Sequence, residues 1–381
     1  MKTNYKIQGT PNSPVLIFSN SLGSEMMMWD ALVPYLLPYF RVLQYDTMGH
    51  GGSEKPKGWY NIDTLGSQVI ELMDSLHIEK AYFCGLSMGG LIGQWLGINH
   101  SERFYKIAIS NTGAKIGDDA GWNGRIKTLK EEGMRAIAEG TSAIWFTPEF
   151  IKEESEKTQL YKEMFLRSDV SGYCGCCAAI RDTDYRDQLD KFRTSTLVIA
   201  GDQDPVTTIE HAQFLVENIN DASLALLPAR HLAATEFPER FANILIKFFT
   251  GESTFDKGMH VRRTVLGNEH VDRASSKIND FNGDFQKFIS NYAWGEIWTR
   301  PGLSKHNRSL ITIAMLIALN RPNEFKMHVK AAFNNGVTKE EIKEVIMQSA
   351  LYCGLPAAND AIHLAEEVFQ MTNKLNDESS E

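Results

Sequence analysis

Five cysteines in 381 residues are too few and too unevenly spaced for a disulfide framework. Three of them crowd into YCGCCAA (Cys174, Cys176, Cys177), and no second pair or histidine pair stands at zinc-ligand spacing. They are read as small apolar residues packed in a helix, in a chain of a reducing, cytoplasmic location. No apolar run approaches the roughly 20 residues needed to span a bilayer, and the opening MKTNYKIQGTPNSP lacks the apolar centre of a secretory leader. Neither a membrane span nor a signal peptide is expected. Positive charge is also short: 39 Lys and Arg against 48 Asp and Glu leave a net charge of -9. That balance argues against nucleic acid or an anionic membrane as partner, while leaving room for a local basic pocket. No internal repeat is found.

What is present is alternation. VLIFS, RVLQYD, AYFCGL and YKIAISN are short, β-branched or aromatic, and bounded by turn residues, as strands are. TLGSQVIELMDSL and GGLIGQWLGI have helical spacing between them. The pattern resumes at STLVIAG, a helix near 208–218, SLALLP and a last helix near 236–249. Strands alternating with helices imply a parallel sheet covered on both faces. Residues 116–190 interrupt it without a strong strand candidate and are expected to form a helical cap over the strand ends. The polar, Gly-containing TGESTFDKG places a linker at 251–258 between a first domain (1–250) and an all-helical second domain (259–375), which a polar tail (376–381) follows.

The first site candidate lies between AYF and a helix. Gly85, Ser87 and Gly89 form a G-x-S-x-G elbow, whose small neighbours let the chain turn sharply enough to lift the hydroxyl above the sheet. The base that such a serine needs is assigned to His231 in LPARHLAATEF. The orienting acid is assigned to Asp204, in preference to Asp202, in DQDPVT after a strand. Ser, Asp, His is the expected chain order. His50, in YDTMGHGGSEKP, precedes the serine and is read as a loop residue. Oxyanion donors are expected from the backbone N–H of Met88 and of Leu22 in SNSLGSEMMMW.

These features resemble the α/β-hydrolase fold over roughly residues 1–250. With GLSMGG, GWNGRIKTLKEEGM, WFTPEF and GYCGCCAAIRDTDYR, the first domain is similar to the 3-oxoadipate enol-lactonases, which open an unsaturated lactone bearing a carboxylate. The resemblance implies an anionic lactone as substrate, and Arg125 and Trp145 in the cap are the candidates to position it. RRTVLGNEHVDRA, WGEIWTRPGLSKHNRSLITIAMLIAL, HVKAAFNNGVTKEEIKEVIMQ and YCGLPAANDA resemble the 4-carboxymuconolactone decarboxylases. Related peroxide-reducing proteins use a Cys-x-x-Cys pair here, but Cys353 is followed three positions later by Pro356, which argues against a thiol cycle.

In the second domain Arg308 shares a helical stripe with Ile311, Thr312, Met315 and Leu319, and is assigned to carboxylate binding. His328, on the apolar face with Phe325 and Ala332, is the expected proton donor. Glu296, Arg300 and Cys353 are further candidates for substrate contact. The resemblance implies a homo-oligomer through this domain, and neither reaction calls for a metal or an organic cofactor. The expectation is therefore a bifunctional enzyme acting on consecutive steps. The competing reading is a serine esterase whose helical domain only oligomerises. A haloalkane dehalogenase is disfavoured because that chemistry needs a carboxylate at the elbow.

Overall fold

The apolar runs read as strands all enter one seven-stranded sheet: β1 (Tyr5–Gln8), β2 (Val15–Ser19), β3 (Arg41–Tyr45), β4 (Ala81–Leu86), β5 (Phe104–Ser110), β6 (Thr196–Gly201) and β7 (Ala222–Leu227). The order is β1-β3-β2-β4-β5-β6-β7, with β1 antiparallel to β3 and the remaining pairs parallel. This computed structural model describes residues 2–251 and 253–378, with side chains as far as Met371. The chain divides into two units, Met1–Gly251 and Glu252–Glu381.

Strands β2 and β4 are buried along nearly their whole length, as parallel strands sandwiched between helices must be. Strand β1 has no counterpart in the sequence reading. It is an edge strand whose YKIQ side chains are exposed or half-buried, so it carries no apolar run to betray it. The sheet is flanked by α1 (Ile62–Ser75), α2 (Met88–Asn99) and later helices. Asn61 starts α1 by accepting the Thr64 N–H.

Between β5 and β6 the chain forms α3 (Asp119–Glu132), α4 (Arg135–Trp145), α5 (Pro148–Glu153), α6 (Ser155–Leu166) and α7 (Val170–Asp182). Side chains of Asp118, Thr147 and Asp169 cap three of these helices. The cysteine-rich stretch falls in α7, where Gly172 to Ile180 are buried throughout. After β6 come α8 (Ile209–Asn218) and, beyond β7, α9 (Pro238–Thr250) with proline in its first turn.

The second unit is helical. Its elements are α10 (Thr254–Leu266), α11 (Asn268–Ser275), α12 (Gly283–Phe288), a π-helical stretch Ile289–Ile297, α13 (Lys305–Ala318), α14 (Pro322–Ala332), α15 (Lys339–Cys353) and α16 (Leu355–Glu378). The main core joins Ile313, Ile317, Phe325, Val329, Ile342 and Ile346. A smaller one gathers Val261, Val265 and Trp294.

Four sequence expectations change here. The linker placed at 251–258 is mostly helix: Ser253 and Asp256 form a reciprocal capping box, so the polar residues read as a seam are N-terminal helix chemistry. Residues 376–378, read as tail, continue α16, and 379–381 lie outside the described residues. Pro322 does not stop α13 but opens α14; the chain turns at Asn320, which has φ 50°. Finally, the stripe Ile311, Met315 and Leu319 is not buried. These side chains are 40%, 58% and 66% exposed, because Ile313 and Ile317 face the core instead. A helix apolar all round leaves sequence periodicity unable to choose its inner face.

The elbow needs its glycines. A Cβ on Gly85 would stand 2.0 Å from the Gly89 carbonyl oxygen, and one on Gly89 would stand 2.2 Å from that of Ser19. Gly85→Ala should therefore displace backbone rather than a side chain and destabilise the first unit by roughly 2 kcal/mol or more, lowering its melting temperature by about 5 °C or more. An unchanged melting temperature by calorimetry would contradict this packing.

Candidate active sites

Ser87 sits at the tip between β4 and α2 with φ 59° and ψ -111°, a strained conformation for a non-glycine residue. Its backbone is held on both sides: its N–H donates to Ser110 O at 2.8 Å, and Thr112 Oγ1 donates to its carbonyl at 2.9 Å. The hydroxyl makes no capping bond to α2. It lines a cleft with Leu22, Arg125, Trp145, Tyr173 and His231.

His231 is buried and its Nδ1 lies 2.8 Å from Asp204 Oδ2. Asp204 also accepts bonds from Val206 N–H, Thr207 N–H, Thr207 Oγ1 and Asn111 Nδ2. Burial pushes its carboxyl upward, but the charge of His231 and these hydrogen bonds outweigh burial and hold it well below the ordinary carboxylate range. An ionised Asp204 fixes the proton on Nδ1, which leaves Nε2 free to accept one. Asp202 is exposed and takes no part.

The N–H groups around the elbow divide cleanly. Gly89 donates to Asn20 O at 3.1 Å and Gly23 to His50 Nε2 at 2.9 Å. Among the described residues, the N–H groups of Leu22 and Met88 meet no acceptor, as donors kept for an oxyanion should.

In the cap, Arg125 donates through Nε and Nη2 to Tyr173 Oη, at 3.1 and 2.6 Å. No carboxylate pairs with it among the described residues, so its charge is available to a ligand in the cleft. Trp145 is buried against Phe165 and Tyr161, edge to face. Its carbonyl accepts the N–H of Leu232, next to His231. Cap and histidine loop are thus fastened together.

Sequence reasoning missed the residues behind this arrangement. Asn111, with φ 45°, bridges Asp204 and the carbonyl of Arg230. Glu236, buried behind His231, accepts from Arg230 N–H at 2.7 Å and from Thr147 N–H and Oγ1 at 3.0 and 2.6 Å. It clamps the cap to the loop that carries the imidazole. The only sequence signal was two polar residues beside predicted motifs. His50 is the third. It lies buried against the sheet and holds the oxyanion loop through Gly23 N–H.

The decarboxylase candidates are more scattered. His328 is half-buried and stacks on Trp298 with ring centroids 6.5 Å apart. Burial, then the neighbouring His270, hold its pKa down at about 4. The ring is therefore neutral near pH 7, which weakens its assignment as a charged proton donor. Arg308 Nη2 donates to the Arg300 carbonyl at 3.1 Å, while its Nε is buried without a partner. Glu296 is exposed on the π-helical stretch. Cys353 lines a different space, a groove of about 700 Å³ with Ile311, Tyr352 and the carboxylates Glu340, Glu341 and Glu344. Glu341 forms the capping box of α15 with Thr338 and reaches His306. The groove is the larger cavity, but the serine chemistry is elsewhere. No group of three or more His, Cys, Asp or Glu suited to a metal occurs among the described residues.

Comparison with known proteins agrees with both halves. Residues 14–147 match the family described as alpha/beta hydrolase fold, and residues 283–367 match the carboxymuconolactone decarboxylase family. The chain is 44% identical over 238 residues to 3-oxoadipate enol-lactonase 2 of Acinetobacter baylyi, covering 62% of this chain and 89% of that protein. It is 58% identical over 119 residues to 4-carboxymuconolactone decarboxylase of the same organism, covering 31% of this chain and 89% of the relative. A solved enol-lactonase from Burkholderia xenovorans superposes with a TM-score of 0.64 at 38% identity, covering 65% of this chain and 96% of that one.

His50 supplies a pH test. Burial lowers its pKa from the ordinary 6.5 to about 4, and as an acceptor for Gly23 N–H it must be neutral. Between those values the unfolded chain binds the extra proton. This contribution to stability is therefore whole above pH 6.5 and lost as pH falls towards 4, on the order of 3 kcal/mol in all. In His50→Gln, whose amide oxygen can still accept from Gly23, the urea midpoint should vary less between pH 6.5 and 4.5 than in the wild type. Equal slopes in the two proteins would rule out this account of His50.

Proposed function

Since the chain belongs to the 3-oxoadipate enol-lactonase family through its first unit and to the carboxymuconolactone decarboxylase family through its second, we propose that it carries out two consecutive reactions. The second unit removes carbon dioxide from 4-carboxymuconolactone. The first hydrolyses the resulting enol-lactone to 3-oxoadipate.

In the decarboxylation the C–CO₂⁻ bond breaks, and its electron pair passes through the ring double bond to the lactone carbonyl oxygen as a dienolate. A proton added at the carbon next to that carbonyl gives the enol-lactone. In the hydrolysis Ser87 Oγ attacks the lactone carbonyl while His231 Nε2 takes its proton. Charge collects on the carbonyl oxygen facing the N–H groups of Leu22 and Met88. Collapse breaks the ring C–O bond; the enolate leaves, is protonated, and relaxes to the ketone. Water, deprotonated by His231, then frees Ser87. Arg125 holds the substrate carboxylate, and Trp145 forms the wall against which the ring lies. Arg300, Glu296 and Cys353 remain candidates for substrate contact in the second unit.

The observation that carries the first half is the Asp204–His231 pair sharing a cleft with a strained, uncapped Ser87 and an Arg125 that lacks a carboxylate. The exposed apolar row Ile311, Met315, Leu319, Met347, Leu351 and Tyr352 supports a homo-oligomer assembled through the second unit. Five free cysteines are in keeping with a reducing, cytoplasmic setting. No helix among the described residues is long and apolar enough to cross a membrane.

Feeding 4-carboxymuconolactone to the whole chain and following products by proton NMR tests the sequence of reactions. The wild type should yield 3-oxoadipate. Ser87→Ala should release carbon dioxide at the normal rate yet accumulate enol-lactone, its hydrolysis falling roughly 10⁴- to 10⁶-fold. Continued formation of 3-oxoadipate by Ser87→Ala would refute the acyl-enzyme route. An inert second unit would leave the substrate untouched and favour an esterase with a helical assembly module.

A further inference from the structure

Among the described residues, a buried guanidinium in the second unit has no counter-charge. Arg262 on α10 is only 8% exposed, yet its Nε has no partner. Its Nη1 and Nη2 reach nothing better than the neutral Gln286 Oε1, at 3.4 Å each. Burying a full charge without an anion costs several kcal/mol, and folding offers no reason to accept that cost here. Burial lowers the pKa of Arg262, as expected for a cation left waiting.

Its surroundings add positive charge. His270 on α11 is pushed down by burial, then by the charges of Arg273, Arg262 and Lys330. His270 in turn opposes protonation of His328 on α14. Glu324 is the one carboxylate that pulls the other way on His328. The indole of Trp298 lies parallel to the His328 ring and follows Trp294 at 5.0 Å, so the small core of α10 and the π-helical stretch forms an apolar wall on this side. Asn334 ties the end of α14 to the Val265 carbonyl at 3.0 Å, fixing the two segments that carry the basic groups.

We propose that Arg262, His270 and His328, walled by Trp298, form the dicarboxylate-binding site of the decarboxylase half. This assignment rests on the decarboxylation reading given above. A dianion entering the cluster offsets the charges of Arg262 and Lys330 and favours a proton on His270, and Arg262 offers the planar fork that a carboxylate takes in two bonds. The neutral His328 ring can donate an N–H towards the lactone carbonyl oxygen as the dienolate forms, the role suited to an imidazole kept uncharged. The 700 Å³ groove is excluded on charge: three glutamates line it, and they repel a dianion.

The test uses the full-length chain with Arg262→Met and His270→Gln. Carbon dioxide release from 4-carboxymuconolactone, hydrolysis of the enol-lactone and the melting temperature are measured on each. Both variants should raise KM for decarboxylation at least tenfold and leave enol-lactone hydrolysis unchanged. Because Arg262→Met removes an unpaired buried charge, the second unit should melt at the same temperature or higher. Decarboxylation with kcat/KM within threefold of wild type in Arg262→Met overturns the proposal. If Arg262→Met melts lower, His270→Gln decides alone, by the same threefold limit. Absence of carbon dioxide release by the wild type would instead defeat the decarboxylase reading itself.

Discussion

Everything in the first unit depends on how closely β2, β4 and α2 approach one another at the elbow. Only hydrogen fits at positions 85 and 89, because the Gly89 and Ser19 carbonyls occupy the space a Cβ would need. That closeness forces Ser87 into its left-handed turn, and bonds from Ser87 N–H to Ser110 and from Thr112 to the Ser87 carbonyl hold it there. The strain is borne by a sheet whose central strands are buried along nearly their whole length, so it cannot relax without opening the core. The same geometry leaves the N–H of Met88 at the first position of α2.

Around this point the polar groups form a chain of fixed positions rather than a set of separate contacts. Asp204 is saturated with donors and stays ionised, His231 is oriented by it, and Glu236 binds the histidine loop to the cap through Arg230 and Thr147. The cap therefore does more than close the cleft. Its position and that of the loop carrying the imidazole are tied together by one buried carboxylate, Glu236.

Both units hold an arginine that lacks a carboxylate partner among the described residues, but in different surroundings. Arg125 is steadied by a tyrosine hydroxyl and remains half-buried. Arg262 is nearly enclosed and has only a distant amide oxygen. A net charge of -9 is compatible with such local positive fields, because they are separate from the overall balance. The apolar face of α13 is the other unfinished feature. Among the described residues Ile311, Met315 and Leu319 stay exposed, which contradicts the sequence expectation that Arg308 borders a buried face.

The sequence alone determined six of the seven sheet strands, the elbow and the Ser, Asp, His order, because each depends on local chemistry: β-branched runs, glycines two residues either side of a serine, and turn residues after strands. It also determined that Thr338 and Glu341 begin a helix. It favoured Asp204 over Asp202 as well, because Asp204 lies farther from the strand end, and the tertiary structure has Asp204 against the imidazole. Only the tertiary structure revealed Asn111, Glu236 and Arg262. Such residues act across gaps of tens to about a hundred positions, through hydrogen bonds or the lack of a counter-charge, and neither leaves a period or spacing in the chain. Which face of α13 turns inward was equally undecidable, because its second half, LITIAMLIA, is apolar on most sides and fits its core in more than one rotation until its neighbours are in place.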